Sequence, residues 1–239
     1  MDKLKKTKII LGTSYSFIII AFLWAFFTYF SLNELTSYDF IKNNRDYLIQ
    51  IKDSSFLITS VLFLIFTIIW VLLLGFGSPI FILGGFIFGK WFGSIFTVLA
   101  LSFGATLLYI FANFFFKDFI YDNFYKKFES LNEKFKKNEF LFILIYRFVG
   151  GIPFAIANIL PTIFNVKVSN YFFGTLIGMY PQAFVWVSLG SGIEKIINQN
   201  LEAPSFTQLI SSPDIYIPIL GFLTLIILGI IIKNLFYKK

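Results

Sequence analysis

Residues 146–161 read YRFVGGIPFAIANILP, which sets an arginine, a Gly-Gly pair and two prolines inside a run otherwise apolar enough to lie in a bilayer. Arg147 is one of two arginines in the chain, the other being Arg45 in a polar loop. At mid-membrane an arginine costs about 2.5 to 3.5 kcal/mol on insertion scales, so it faces a cavity or neighbouring helices, or else it snorkels to the boundary near Phe140. In the first case the planar guanidinium suits a bidentate clamp on a phosphate or phosphodiester. Gly150, Gly151 and Pro153 interrupt helical hydrogen bonds, and backbone groups freed at membrane depth are tolerated only where protein or a watery cavity meets them. Such a break can receive a polar headgroup, or it can be a plain hairpin turn. Asn158 and Asn113 are further headgroup-binding candidates, with helix-to-helix hydrogen bonding as the other reading.

The elements that position these residues follow from composition. The chain is 57% hydrophobic, and a mean hydropathy of +0.79 is more apolar surface than one soluble core could hide. The uncharged runs 9–30, 54–89, 91–116, 168–193 and 215–232 are mostly near or above the ~20 residues that cross ~30 Å of hydrocarbon. The first run is too long for a cleavable signal and is expected to be retained. The chain contains no histidine and no cysteine, which removes disulfides, thiol chemistry and the commonest zinc and haem ligands. No carboxylate pair lies at membrane depth either, so the expectation is a protein that is not an enzyme and needs no cofactor. The formal charge of +7 comes from lysines beside the apolar runs, where anionic lipid headgroups, not nucleic acid, are the expected partners. The positive-inside rule does not fix the orientation.

Residues 54–89 hold no charge over 36 residues, about 54 Å as a straight helix at ~1.5 Å per residue. That length suits one crossing plus a segment that enters and turns back, with the break at GFGSP, where Gly75, Gly77 and Pro79 stop the helix. Sliding the sequence by 74 residues lays Gly77 on Gly151, Pro79 on Pro153, Ile82 on Ile156 and Gly104 on Gly178. Paired, interrupted apolar segments in two halves point to an inverted-repeat transporter, and ordinary kinked spans are the alternative. Between the halves, Ile120, Phe124, Phe128, Leu131 and Phe135 share one face of an amphipathic helix over 117–139, expected on the membrane or against the bundle. Gly85, Gly89 and Gly93 recur every fourth residue beside Gly84, a pattern for close helix packing or for a lipid track.

The segments PIFILGGFIFGKWFG, RFVGGIPFAIANIL and FFGTLIGMYPQAFVWVSLGSG resemble the DedA superfamily, specifically its VTT-domain branch, also called SNARE-associated Golgi proteins. The resemblance covers roughly residues 70–195. Its motif residues are Pro79, Gly84, Gly85, Phe88, Gly89 and Gly93 in the first half, and Arg147, Gly151, Pro153, Asn158, Gly174, Thr175, Gly178 and Pro181 in the second. It implies two re-entrant hairpins, each followed by a membrane helix. It also implies lipid movement between leaflets: bacterial members are similar to carriers of undecaprenyl phosphate or phospholipid, and eukaryotic ones look like scramblases. The chain departs from the pattern at Asn113, where the family often has arginine, at Gly150, where it often has proline, and at Leu160 and Pro161, which replace a small Ala-Gly pair. No acidic residue stands between Asp53 and Asp118, which disfavours proton coupling through a membrane carboxylate.

The expected architecture is an all-α integral membrane protein of five to six membrane helices, including two re-entrant helical hairpins arranged as an inverted repeat. Its expected parts are an N-terminal helix and loop (1–53), a VTT-like domain (54–195, with repeats at about 70–116 and 140–195 around the 117–139 linker) and a C-terminal loop and helix (196–239). The expected function is a transporter or scramblase that moves a lipid with an anionic phosphate headgroup, an anionic phospholipid or a polyprenyl phosphate. The setting is the inner membrane of a bacterium, inferred from the Lys, Asn, Ile and Phe bias of an AT-rich genome. A non-transporting scaffold that organises the membrane is the alternative.

Overall fold

A computed structural model describes residues 3–29, 47, 50, 55–199, 207 and 211–237. Among them the chain is helical and forms no strand. Helix α1 spans Lys3–Tyr29, α2 Phe56–Leu72, α3 Gly77–Lys137, α4 Glu139–Val149, α5 Phe154–Ile159, α6 Val168–Gln199 and α7 Pro213–Tyr237, with a 3-10 turn at Leu160–Phe164 between α5 and α6. The stretches Gly77–Lys117 and Val168–Lys195 are long and apolar enough to cross a membrane. The segment expected as a separate linker helix continues α3 to Lys137 without interruption. The side chains that carry its amphipathic pattern, Ile120 to Phe135, lie outside the described residues, as do most of the polar connections 31–53 and 194–214.

Each half is built by the same local chemistry. Ser55 caps α2 by accepting from the Ile58 amide, and Asn138 caps α4 by accepting from the Leu141 amide at 3.0 Å, satisfying one of the donors that a helix start leaves over. Helix α2 stops at Leu72, and Leu74 then takes a positive φ of 61°. Helix α4 stops at Val149, and Gly150 (φ 64°) and Gly151 (φ 84°) turn the chain. A short arm follows in each half, residues 77–88 in the first and α5 with its 3-10 turn in the second. Gly89 (φ 72°, ψ 177°) ends the first arm, and Asn165 in the left-handed region (φ 50°) ends the second. That backbone region admits few side chains, which is why glycine stands at 89. The first arm folds back: a Cβ on Gly84 would touch the Thr97 hydroxyl, and one on Gly93 would lie 2.5 Å from the Gly84 carbonyl oxygen.

The long helix of each half runs parallel to the helix before the break. Phe56 meets Phe96 at 5.7 Å, and Val71 packs where a Cβ on Gly104 would be 2.9 Å away. In the second half Ile143 packs on Gly174, and Arg147 on Gly178, also at 2.9 Å. Val71 and Arg147 therefore occupy equivalent places. The two long helices are antiparallel, since Trp91 meets Phe184 (5.2 Å), Phe103 meets Phe172 (4.9 Å) and Tyr109 stacks on Tyr171 (4.5 Å). The halves thus trace one path in opposite directions, and each short arm packs on the other half's long helix. Cβ atoms on Gly85 and Gly190 would fall 1.9 Å from the Val187 carbonyl oxygen and 2.1 Å from the Ile82 carbonyl oxygen. In lipid, where burial of apolar groups gives helices little reason to associate, close backbone-to-backbone fit of this kind favours their packing. The outer surface is correspondingly greasy: Leu57, Phe17 and Trp91 are 74%, 73% and 63% exposed.

Gly85→Ala therefore puts a methyl into a backbone carbonyl, and overpacking of this kind costs about 1–3 kcal/mol. Thermal unfolding in detergent is expected to show a clear loss of stability for Gly85→Ala. Gly221→Ala, whose Cβ would meet Val185 at an ordinary 3.5 Å, is expected to unfold like wild type.

Candidate functional site

The two breaks meet. A Cβ on Gly77 would lie 3.5 Å from the Phe154 ring, and a cavity of about 240 Å³ opens between them. Its walls are Phe76, Gly77, Ser78 and Phe81 from the first break and Tyr146, Arg147, Gly150, Gly151, Ile152, Phe154 and Ala157 from the second, closed by Met179, Gln182 and Trp186 of α6. Gly151 and Ile152 are exposed, so the cavity is open at the second turn.

Arg147 is 5% exposed. It does not run along the surface toward an interface; it sits among helices, its position fixed by its own turn and by Gly178 beneath it. Its Nε donates to the Thr175 hydroxyl at 3.2 Å, and Nη2 donates to Asn158 Oδ1 at 2.8 Å and to the Tyr171 hydroxyl at 2.5 Å. Tyr171 in turn donates to the Asn158 carbonyl at 3.2 Å and is held flat against Tyr109, whose hydroxyl donates to the Val166 carbonyl at 2.6 Å. The guanidinium carbon also lies 5.4 Å from the Tyr171 ring and 5.7 Å from the Tyr146 ring, which adds cation–π attraction.

All three protein acceptors of Arg147 are neutral, and among the described residues it forms no ion pair. Among the described residues its Nη1 amino group has no acceptor, yet it is not one of the enclosed orphan atoms. Those two N–H groups are what remain for a ligand. A two-pronged grip on one anion needs Nη1 together with Nη2, or Nη2 together with Nε. With Nε and Nη2 engaged, a ligand meets Nη1 alone.

The residues singled out in the sequence separate into distinct places. Arg147 and Gly151 border the cavity; Pro153 caps α5 just behind it. Asn158 is fully buried and holds Arg147, with its Nδ2 left without a partner. Asn113 is elsewhere, donating to Asn165 Oδ1 at 3.2 Å at the turn before α6, where Lys117 also reaches the same oxygen at 3.0 Å. Pro79 stands exposed in the first turn of the first arm, Gly84, Gly85 and Gly89 shape that arm, and Gly174, Gly178 and Pro181 lie on α6. Tyr171 and Gln182 were not foreseen. Tyr171 precedes Thr175 by one helical turn, so both reach the same side of α4, and Gln182 is a lone amide in an apolar run. Tyr171→Phe removes one acceptor from Arg147 and one donor from the Asn158 carbonyl. A stability loss of about 1–2 kcal/mol is expected by chemical unfolding in detergent.

The VTT domain family matches residues 74–192. Among curated proteins the chain is similar to the Transmembrane protein 41 homolog of Caenorhabditis elegans, 24% identical over 136 residues that cover 54% of this chain and 55% of that relative. The chain thus spans about half the length of the relative it matches. No solved structure matches it. The matched stretch contains both breaks, both arms, the cavity and Arg147, and through it the chain belongs to the VTT-domain branch of the DedA superfamily of membrane-embedded proteins.

Proposed function

We propose that the protein moves a lipid with an anionic phosphate headgroup between the two leaflets of a bacterial cell membrane. The observation that carries this reading is Arg147: a buried cation whose partners among the described residues are all neutral, and which lines a cavity where two helix breaks meet. A lone charge in a low-dielectric wall is costly unless an opposite charge meets it, and a phosphate supplies that charge. The first arm also begins at the cavity with Gly77 and Ser78. Its start is a helix N-terminus, which favours an anion. Half-helices that aim their starts at an anionic substrate near the midplane are a transporter device.

In this reading the two short arms are re-entrant and the antiparallel halves form an inverted repeat across the bilayer. Either one repeat rocks against the other, or the open side at Gly151 and Ile152 is a groove along which the headgroup slides while the acyl chains stay in lipid. The greasy outer surface and the Gly-rich arm crossings are compatible with both.

The test is reconstitution of the purified full chain into liposomes carrying a trace of tail-labelled fluorescent phospholipid, followed by a quencher added outside. Wild type is expected to expose label beyond the outer-leaflet half. Arg147→Ala and Arg147→Lys are expected to slow this at least tenfold, on the order of 1.4 kcal/mol. The lysine keeps the charge but not the guanidinium fork that Thr175, Asn158 and Tyr171 hold in place. Quenching by wild type equal to that in empty liposomes would sink the proposal. If instead deletion of 117–137 abolishes the cellular role while Arg147→Ala is silent, the scaffold reading replaces it.

A further inference from the structure

Gln182 shares the cavity with Arg147 and contributes the opposite hydrogen-bonding character. Its Nε2 donates to the Phe148 carbonyl at 2.7 Å, one of the last carbonyls of α4 that no helical amide reaches. That bond fixes which end of the amide is which: turned over, Oε1 would face another oxygen. Oε1 is therefore an acceptor, and none of the described residues donates to it. It is not among the enclosed orphan atoms either, so it stays accessible in a side chain that borders the cavity. The neighbouring turn leaves the amide its room, since a Cβ on Gly150 would lie 2.7 Å from Nε2.

Both residues border the cavity, and among the described residues Arg147 keeps Nη1 as an unengaged donor group and Gln182 keeps Oε1 as an unengaged acceptor. Resting on the lipid-moving reading above, we infer that Gln182 is a specificity-determining residue. It selects phosphodiester headgroups whose alcohol portion itself donates a hydrogen bond, through a hydroxyl or an ammonium N–H. A glycerol or ethanolamine headgroup satisfies both ends, the phosphate oxygen taking Nη1 and the hydroxyl or ammonium giving to Oε1. A choline headgroup has the same phosphate but no N–H or O–H, and it leaves Oε1 desolvated and unpaired. A site built around a hydrogen bond discriminates against an analogue lacking it far better than an apolar pocket discriminates by size.

The experiment uses the full chain in liposomes with trace tail-labelled phosphatidylglycerol, phosphatidylethanolamine or phosphatidylcholine in one common host lipid. Wild type is expected to move the first two about tenfold faster than the third. Gln182→Leu, which lacks the acceptor, is expected to bring all three to one rate, and Gln182→Glu, which keeps an acceptor, to preserve the preference for the donor-bearing lipids. Gln182→Leu and Gln182→Glu both lose the bond to Phe148, and the carboxylate of the second also adds a negative charge to the cavity that Arg147 lines, so melting of both detergent-solubilised variants is read in parallel. Stabilisation by soluble glycerophosphoethanolamine over glycerophosphocholine, seen for wild type and Gln182→Glu, gives a second readout independent of transport. Equal rates for the three lipids with wild type would overturn the role of Gln182 and leave lipid movement standing, as would a preference that survives Gln182→Leu. A preference for ethanolamine without glycerol would confine selection to a charged N–H donor, since choline carries the same charge without an N–H, and would overturn the hydroxyl half of the account. Movement of none of the three overturns both readings.

Discussion

A single guanidinium, enclosed by helices and answered only by neutral oxygens, is the constraint around which the second half of this protein is arranged. Thr175, Asn158 and Tyr171 come from α6 and α5 to hold Nε and Nη2, and Tyr109 crosses from the other half to brace Tyr171. Gly178 lets α6 approach the Arg147 backbone closely enough for those bonds to form. A network of this kind fixes the side chain but does not neutralise it. The charge is left beside the cavity where the two breaks meet, and that imbalance is what motivates the proposed anion.

The first half shows what the same path looks like without the charge. Val71 stands where Arg147 stands, and the Thr97 hydroxyl lies against Gly84 without a hydrogen-bond partner. The two halves share a glycine under the helix before the break, at Gly104 and Gly178, together with their breaks and their directions of packing, and they differ in polarity. Shape comes from the small residues and the breaks, and the buried charge from one substitution pattern in one copy. This division explains how a pseudo-symmetric frame presents an asymmetric site, with a cation on one wall and aromatic and glycine surface on the other.

Much of the frame was legible in the sequence. The offset of 74 residues aligned the two breaks because glycine and proline mark backbone geometry directly, and the uncharged length of 54–89 suited a break near Gly75 to Gly77. Arg147 and Gly151 at the cavity followed from the oddity of a charge beside a helix break. Asn113 illustrates the limit: an amide in an apolar helix signals a hydrogen bond but not its partner, and its partner is Asn165. Asn158 turned inward to the arginine for the same reason. Tyr171 was hidden because an aromatic residue in a chain with 35 phenylalanines and 12 tyrosines reads as lipid-facing or core surface. The continuity of α3 into 117–137 was missed because the change from the uncharged run 91–116 to a Lys- and Glu-rich stretch suggests a boundary, although no glycine or proline stands there to stop the helix.

The central claim is that the Nη1 group of Arg147 takes a lipid phosphate. Because the chain has two arginines, ¹⁵N-arginine labelling of an Arg45→Lys variant isolates one guanidinium. Solid-state ³¹P–¹⁵N dipolar dephasing in phospholipid bilayers then reads its distance to phosphorus. The account predicts a phosphate within about 4 Å of one guanidinium nitrogen, the spacing of a charge-assisted N–H···O contact plus one P–O bond. Dephasing no greater than that of a control guanidinium kept away from headgroups would contradict it.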